Sequence, residues 1–301
     1  MGRVSFTEEA MSRQDVLDEA IRSLLQSYRH CGLSKDDFAF SLSELNGQDV
    51  SPIGNWRGDV PIYPASIVKL FHLVAAFHWI EKKSVVFSAE LERALKDMIV
   101  DSSNDATSYV IDIVTGTTSG PELPEGEMSD FKRKRSVLNG HFLELGYKDL
   151  NIVQKPWGDG PYGRERVFVG EQLENRNWLT TNATAKLLGE LVGGLALSAP
   201  FTSKAMEWLK REPAVGEPSE DTNDPQDQAN AFSAKGLAST DKLWSKGGWT
   251  SVERHDAAFI ERADGTKLIV VVFTQNHAKE LSIIPTLVRS LLSMWPVGLP
   301  A

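Results

Sequence analysis

Extended and helical patterns are segregated along this chain, and that segregation constrains the fold more than any other feature. Apolar residues alternate in 37–45 near one end, and strand patterns recur in 242–249, 252–261 and 268–273 near the other. Between 66 and 210 the apolar residues fall at helical spacing instead. Both ends of the chain are therefore expected to contribute sheet, and the middle is expected to be helical.

The helix predictions follow the same periodicity. Amphipathic terminal helices are predicted for 15–29 and 283–295. In the middle, helices begin at Ser66 and at Ser88, which is a good N-cap. Further helices are predicted for 106–114, 137–145, 180–197 and 201–210, with turns and a short strand in 47–64 and loops in 115–130 and 146–170.

Composition excludes several classes of protein. A chain of 301 residues that is 41% hydrophobic and 24% charged is globular and long enough for about two domains. A formal net charge of −9 argues against nucleic-acid and anionic-membrane partners. The single cysteine, Cys31, excludes an internal disulfide and a cysteine-rich zinc site. The longest apolar run, 65–80, carries Lys69 and is too short for a membrane span.

The negative charge is unevenly distributed. Residues 212–230 hold six acids, three prolines and no base, which indicates a mobile, solvated, acidic insert. Without these residues the net charge is only −9 + 6 = −3. The acidic total therefore describes an insert and not the chemistry of a partner.

The first candidate site is Ser66, with Lys69 three residues later at the start of an apolar helix. Residues three apart lie on one helix face, and a helix N-terminus supplies free N–H groups and a positive dipole. A serine becomes a nucleophile when a neighbouring base takes its proton. Lys69 can be that base if burial lowers its pKa. Two further Ser-x-x-Lys copies, at Ser129 and Ser239, lie in polar segments and are interpreted as surface residues.

The second and third candidates are two short polar motifs. Ser103-Asn104-Asp105 lies between two predicted amphipathic helices, where its side chains either face a cleft or cap the following helix. Lys246-Gly247-Gly248-Trp249-Thr250 ends a predicted strand, and Arg254 follows. Adjacent glycines allow a substrate to approach the backbone N–H groups, although a glycine-weakened hairpin with charged edges has the same composition.

Together these motifs resemble the active-site serine penicillin-recognising enzymes, the class A β-lactamases and related penicillin-binding proteins, whose signature is Ser-x-x-Lys, Ser-Asp-Asn and Lys-Thr-Gly. The resemblance extends over about 15–295. It implies an α+β fold with an antiparallel five-stranded sheet flanked by helices, formed by 1–63 together with 232–301. An all-α region, 64–231, is implied to carry the nucleophile helix, with the active site in the cleft between the two.

The resemblance also implies roles for individual residues. Ser66 is implied as the acylated nucleophile and Lys69 as its proton acceptor. Ser103 passes a proton to the leaving nitrogen, and Lys246 holds that serine and the substrate carboxylate. Backbone N–H groups of Ser66 and Trp249, beside Gly248, form the oxyanion hole; Asp105 binds the amide of the substrate, and Thr250 and Arg254 contact its carboxylate.

Three departures from the family pattern bear on activity. Asp105 places a carboxylate where the family has an amide, and Gly247 replaces the hydroxyl residue of Lys-Thr-Gly. Class A enzymes activate the deacylating water with a loop glutamate, and here Glu165, Glu171 and Glu174 compete for that role, with the alternative that all three are solvated acids.

The resulting expectation is a class A β-lactamase-type serine hydrolase. The alternatives are a D-alanyl-D-alanine carboxypeptidase with slow deacylation and a catalytically silent protein that binds peptidoglycan peptides. No cofactor or metal is implied, and a β-lactam or D-Ala-D-Ala-type peptide is the expected partner of a monomer. The family resemblance implies a periplasmic or secreted protein, although 1–15 show no apolar export signal.

Overall fold

The computed structural model describes residues 12–157, 160–212 and 227–294. Most of the predicted acidic insert, 213–226, lies outside the described residues. Residues 227–230 belong to the described part and form a turn beside the sheet. The expected mobility of the insert therefore stays a prediction for 213–226.

The N-terminal part supplies one helix and a hairpin. α1 (Arg13–Ser27) begins at Ser12, whose hydroxyl accepts the Asp15 N–H in a capping box. β1 (Phe38–Asn46) and β2 (Asp49–Trp56) follow as an antiparallel pair, with a bulge between Leu42 and Ser43. The extended pattern of 37–45 and the short strand expected in 47–64 are both present.

The middle of the chain is helical, as predicted. α2 (Val68–Glu81), α3 (Ala89–Val100) and α4 (Asn104–Thr115) lie closest to the candidate site. Ser88 caps α3 by accepting the Leu91 N–H, as its sequence position indicates. The remaining helices are α5 (Glu125–Arg135), α6 (Val137–Glu144), α7 (Gly163–Val169), α8 (Thr181–Val192) and α9 (Ala199–Leu209).

Two of these helices lie where loops were predicted. α5 is almost entirely polar, and only Met128, Phe131 and Arg135 are buried, so its apolar pattern is too sparse to indicate a helix. α7 spans only seven residues and follows glycine- and proline-rich sequence. Both are held by tertiary contacts, which periodicity does not record.

The C-terminal part completes the sheet. β4 (Lys242–Trp249), β5 (Arg254–Glu261) and β6 (Lys267–Thr274) form consecutive antiparallel pairs before α10 (Ile283–Met294). The chain also pairs with β4 directly after α9, as β3 (Lys210–Arg211). Among the described residues the sheet therefore has six strands, in the order β2-β1-β6-β5-β4-β3, and not the expected five. The α+β fold class is confirmed.

The sheet separates two apolar cores. One face of β5, with Ala257 and Phe259, packs against the middle helices. The other face, with Ala258 and Ile260, packs against α1 and α10. Alternation along each strand produces this division, since successive side chains point to opposite faces. Trp244, Lys246 and Gly248 of β4 therefore lie on the face of the sheet that packs against the middle helices, where Ser66 precedes α2.

Candidate active site

Ser66 lies in a short 3-10 turn, Ala65–Ile67, that leads directly into α2. Ala65 has a left-handed φ of 46°, which turns the chain sharply before the serine. Lys69 is only 1% exposed and shares a cavity with Ser66. The predicted pair is therefore brought to one face of the nucleophile helix. No hydrogen bond joins the two side chains, because the amine of Lys69 is engaged by other oxygens.

Those oxygens belong mainly to Ser102. Lys69 Nζ donates to the Ser102 backbone oxygen at 2.6 Å and to its Oγ at 3.2 Å. Lys246 Nζ donates to the same Oγ at 2.9 Å from the opposite side. Ser102 has a left-handed φ of 55° in the turn between α3 and α4. A hydroxyl between two amines is well placed to pass a proton from one to a reacting atom.

The structure does not place Ser103 at this position. Its Oγ accepts the Ala106 N–H at 3.1 Å, and its own N–H is bonded to the Asp97 oxygen, so Ser103 is the N-cap of α4. The capping alternative weighed for this motif is therefore what the structure contains. The hydroxyl that faces both lysines in the structure belongs to Ser102, one residue before Ser103.

The same shift applies to the third position of the motif. Asn104 Oδ1 accepts a hydrogen bond from Lys69 Nζ at 2.8 Å, and Asn104 lines the cavities on both sides of Ser66. Asp105 is exposed in the first turn of α4 and lines neither cavity. Its carboxylate suits a helix N-terminus. When Ser102-Ser103-Asn104 is taken as the motif, its third position is the amide Asn104, as in the family, and not the carboxylate Asp105.

The third motif lies where β4 meets the nucleophile turn. A Cβ added at Gly248 would lie 2.8 Å from the Ser66 nitrogen and 3.2 Å from the Pro64 oxygen. Only glycine allows this approach of the strand to the turn. Trp249 follows and is 39% exposed at the cavity entrance. Ser66 and Trp249 therefore lie close together and line the same two cavities.

Both lysines are buried, and burial disfavours their charged forms. Burial lowers the pKa of Lys69 to about 7. Burial also lowers the pKa of Lys246 well below its ordinary value, and the nearby charges of Lys69 and Arg211 lower it further. Lys246 Nζ is held by Ser102, by the Gly247 oxygen at 2.7 Å and by Gln228 Oε1 at 3.1 Å. Two amines with lowered pKa values therefore face one hydroxyl.

Thr250 and Arg254 do not present free groups to a substrate. The Thr250 hydroxyl, which lines one cavity, donates to the carboxylate of Glu253. Arg254 is 1% exposed and stacks on the Phe232 ring at 3.9 Å, on the face of the sheet away from Ser66. Neither cavity beside Ser66 is lined by Arg254. Its contact with a substrate carboxylate stays a prediction, which this position does not favour.

Two cavities flank Ser66. The first, of about 160 Å³, is floored by the amides of Gln154 and Asn177 and walled by Tyr63, Trp157 and Trp249. The second, of about 200 Å³, contains Ser102, Gln228, Phe232 and the two glycines of the third motif. A larger cavity of about 490 Å³ lies between the β1–β2 hairpin and α8. It contains none of the motif residues, so its size does not make it the reaction site.

The three candidate glutamates lie outside both cavities beside Ser66. Glu165 is 6% exposed and forms hydrogen-bonded ion pairs with Arg135 at 2.8 and 3.0 Å. Glu171 and Glu174 are exposed in the turn after α7, where Glu174 accepts the Gln172 N–H. Neither cavity has an aspartate or glutamate among its described lining residues. The described lining beside Ser66 therefore offers amide groups, and no carboxylate, to a water molecule that enters.

Sequence reasoning missed three groups of this site. Ser102 and Asn104 were displaced by one position because the left-handed turn at Ser102 is not visible in the sequence. Gln228 was assigned to the acidic insert, although it bonds directly to Lys246. Gln154 and Asn177 lie in segments without periodicity, and only their paired hydrogen bonds of 2.7–3.0 Å identify them as a unit.

The described residues offer neither a metal site nor a membrane-spanning helix. Within 12–157, 160–212 and 227–294, no three histidine, cysteine or acidic side chains are grouped so that they could hold a metal ion. In those ranges no helix combines the length and the apolar character that a membrane span requires. The buried histidines have structural bonds: His72 donates to the Ile152 oxygen and His255 to the Tyr63 oxygen, each at 2.8 Å.

Solved structures with the same fold are numerous and distant in sequence. The β-lactamase of Sphaerobacter thermophilus is 19% identical, with 91% of this chain and 96% of that chain covered at a TM-score of 0.60. A class A β-lactamase from Bacteroides cellulosilyticus is 14% identical, with coverages of 94% and 98% and a TM-score of 0.61. PBP-A is 15% identical, with coverages of 90% and 95% and a TM-score of 0.57. These likenesses show the fold.

No curated protein sequence matches this chain. A family model described as the beta-lactamase enzyme family matches residues 80–293, which is more than half of the chain. The resemblance drawn from the three motifs is therefore confirmed at the level of the family. The chain belongs to the beta-lactamase enzyme family and is a serine β-lactamase-like hydrolase.

Proposed function

We propose that this enzyme is acylated at Ser66 by β-lactams and that it releases the acyl group slowly. The observation that carries the proposal is Ser102 Oγ, held between Lys69 Nζ at 3.2 Å and Lys246 Nζ at 2.9 Å beside the cavities of Ser66. This arrangement provides a route for a proton from a base to a leaving group. Lys69, Ser102 and Lys246 would thus serve one nucleophile.

In the first step the Ser66 oxygen attacks the lactam carbonyl and loses its proton to neutral Lys69. A pKa of about 7 leaves much of the Lys69 amine unprotonated near neutral pH, which a base requires. The backbone N–H groups of Ser66 and Trp249 stabilise the oxyanion. The lactam C–N bond then breaks: Ser102 gives its proton to the nitrogen and takes one from the protonated Lys69 at 3.2 Å, while Lys246 keeps Ser102 in place. The product is an ester of Ser66.

Release of the acyl group requires a water molecule and a base. The described lining of both cavities has no carboxylate, and Glu165 is bound to Arg135 instead. Hydrolysis of the ester is therefore expected to be much slower than its formation. This supports the penicillin-binding alternative over rapid β-lactamase turnover. Among the fold relatives, a PBP-A variant has been obtained as an acyl-enzyme complex with penicillin G.

Mass spectrometry of the intact protein with benzylpenicillin tests both steps. The wild type is expected to gain one benzylpenicilloyl group and to keep it long after the free antibiotic is removed. Ser66→Ala should gain none, and Ser129→Ala, which changes an exposed serine of a second Ser-x-x-Lys copy, should label like the wild type. Equal labelling of Ser66→Ala would contradict the nucleophile, and rapid multiple turnover would contradict slow release.

A further inference from the structure

Several donors converge on one neutral oxygen in the second cavity, Gln228 Oε1. It accepts the Gly247 N–H at 2.8 Å and the Lys246 ammonium at 3.1 Å. An Arg211 guanidinium nitrogen lies 3.5 Å away, at the outer limit of hydrogen bonding. The Lys246 amine, the Arg211 guanidinium and a backbone N–H surround this oxygen, and donors of this kind would otherwise be available to a carboxylate oxygen. In this chain the oxygen comes from the protein itself.

The local structure fixes Gln228 in this place. Asp227 accepts the N–H groups of Ala229 and Asn230 at 2.8 and 3.0 Å, which builds the turn that presents Gln228. Gln228 Nε2 donates to the Val100 oxygen at 3.2 Å, at the end of α3. The side chain is therefore bonded at both ends, between α3 and the free edge of β4.

Gly247 makes room for this side chain. A Cβ added at Gly247 would lie 3.2 Å from the Phe232 ring and 3.4 Å from Gln228 Cγ. A hydroxyl residue at this position would need Phe232 or Gln228 to move. The glycine at position 247, where the family has a hydroxyl residue, therefore leaves the space that the Gln228 side chain and the Phe232 ring occupy.

Two further groups that were expected to contact a carboxylate, Arg254 and Thr250, pack or bond elsewhere. Arg254 is buried against Phe232 on the other face of the sheet, and the Thr250 hydroxyl bonds to Glu253. An anionic group in the second cavity would therefore meet donors that Gln228 already occupies.

We propose that Gln228 is a specificity-determining residue that fills the carboxylate position of the leaving-group side, so that the preferred substrates are amides or esters whose leaving group carries no carboxylate. This inference rests on the proposed acylation of Ser66. It disfavours a peptide ending in D-alanine as the natural substrate, because the departing residue of such a peptide carries a carboxylate. β-Lactams with a free carboxylate are expected to acylate Ser66 at a reduced rate.

The test compares benzylpenicillin with its neutral methyl ester as acylating agents. Intact-protein mass spectrometry measures the rate constant for labelling of Ser66 by each compound. The rate constant for the acid divided by that for the ester, the acid-to-ester ratio, is then compared between variants. The comparison between variants cancels the intrinsic reactivity of the two compounds. Gln228→Ala is expected to raise the ratio by about tenfold or more, since it frees charged donors for the carboxylate. Gln228→Glu should lower it by about tenfold, because it adds a like charge at nearly constant shape.

Gln172→Ala is the matched control, since Gln172 is exposed in the turn after α7. Its ratio should equal that of the wild type. Labelling by the methyl ester reports whether each variant still folds with a competent Ser66. An unchanged or lower ratio in Gln228→Ala, with ester labelling retained, would overturn the role of Gln228 while leaving Ser66 acylation standing. If neither compound labels the wild type, the proposed function fails, and the inference fails with it.

Discussion

At the scale of single residues, the site depends on which of two neighbouring serines faces the lysines. Ser102 has a left-handed backbone, and its hydroxyl bonds to both amines. Ser103 has an extended N-cap conformation and bonds to the backbone of α4. The same residue type at adjacent positions therefore has two different environments, the two lysine amines for Ser102 and the helix N-terminus for Ser103. This provides a matched pair of substitutions within one turn.

Ser102→Ala is expected to slow acylation by about 100-fold or more, because it removes the hydroxyl that transfers a proton. Ser103→Ala should lower the free energy of unfolding by about 1 kcal/mol through the lost cap, with little change in acylation. Labelling kinetics with benzylpenicillin and urea unfolding curves measure the two effects. The assignment is wrong if Ser103→Ala is the variant that loses acylation while Ser102→Ala keeps it.

At the scale of elements, a buried ion-pair network fixes α7 to the rest of the helical region. Glu165 on α7 accepts two hydrogen bonds from Arg135 at the end of α5, and Arg135 is fully buried. Lys155 lies 3.8 Å from Glu165 and 2.5 Å from Asp112 on α4. Breaking such a pair leaves an uncompensated buried charge. Glu165 is therefore assigned to the fold and not to the activation of water.

Glu165→Gln is expected to reduce the free energy of unfolding by about 3 kcal/mol or more, because Arg135 would lose its charged partner in the interior. The lifetime of the acyl-enzyme, measured in the folded fraction, should change little. Glu171→Gln, which alters an exposed carboxylate in the next turn, should change neither quantity. A large increase in acyl-enzyme lifetime with unchanged stability in Glu165→Gln would show that Glu165 is the deacylating base after all.

The reach of sequence reasoning is also clearest at this scale. Helices with a continuous apolar stripe, such as α3 and α10, and strands β4 to β6 were predicted close to their observed bounds because their periodicity records burial directly. α5 and α7 were missed because ion pairs and a few buried side chains hold them. Ser66, Lys69 and Lys246 could be chosen from their motifs. Ser102 and Gln228 required the backbone turn and the tertiary contacts.

At the scale of the whole molecule, the fold places Ser66 beside two cavities whose described lining contains no aspartate or glutamate. The sheet contributes Lys246 and the glycine-rich edge, and the helices contribute Ser66, Lys69 and Ser102. The segment between α6 and α8 contributes the buried amides of Gln154 and Asn177 to the lining of the first cavity. Although the chain has a net charge of −9, no acidic side chain belongs to the described lining of either cavity.

A single carboxylate placed in that segment should convert slow release into turnover. Gln154→Glu keeps the size of the side chain and retains an oxygen for the Asn177 N–H, which Gln154 Oε1 accepts at 2.9 Å. The first cavity, of about 160 Å³, has space for several water molecules at about 30 Å³ each. The new carboxylate is expected to shorten the lifetime of the benzylpenicilloyl enzyme by about tenfold or more, as general-base assistance does.

Time-resolved mass spectrometry after removal of benzylpenicillin measures that lifetime, and Gln172→Glu, which adds the same charge at an exposed position, is the control. Acylation rates should remain similar in both variants, since neither substitution touches Lys69 or Ser102. A lifetime that is unchanged in Gln154→Glu, with normal acylation and stability, would mean that release is limited by access of water to the ester and not by the missing base. In that case the shape of the cleft, and not the absence of a carboxylate, sets the rate at which the acyl group is released.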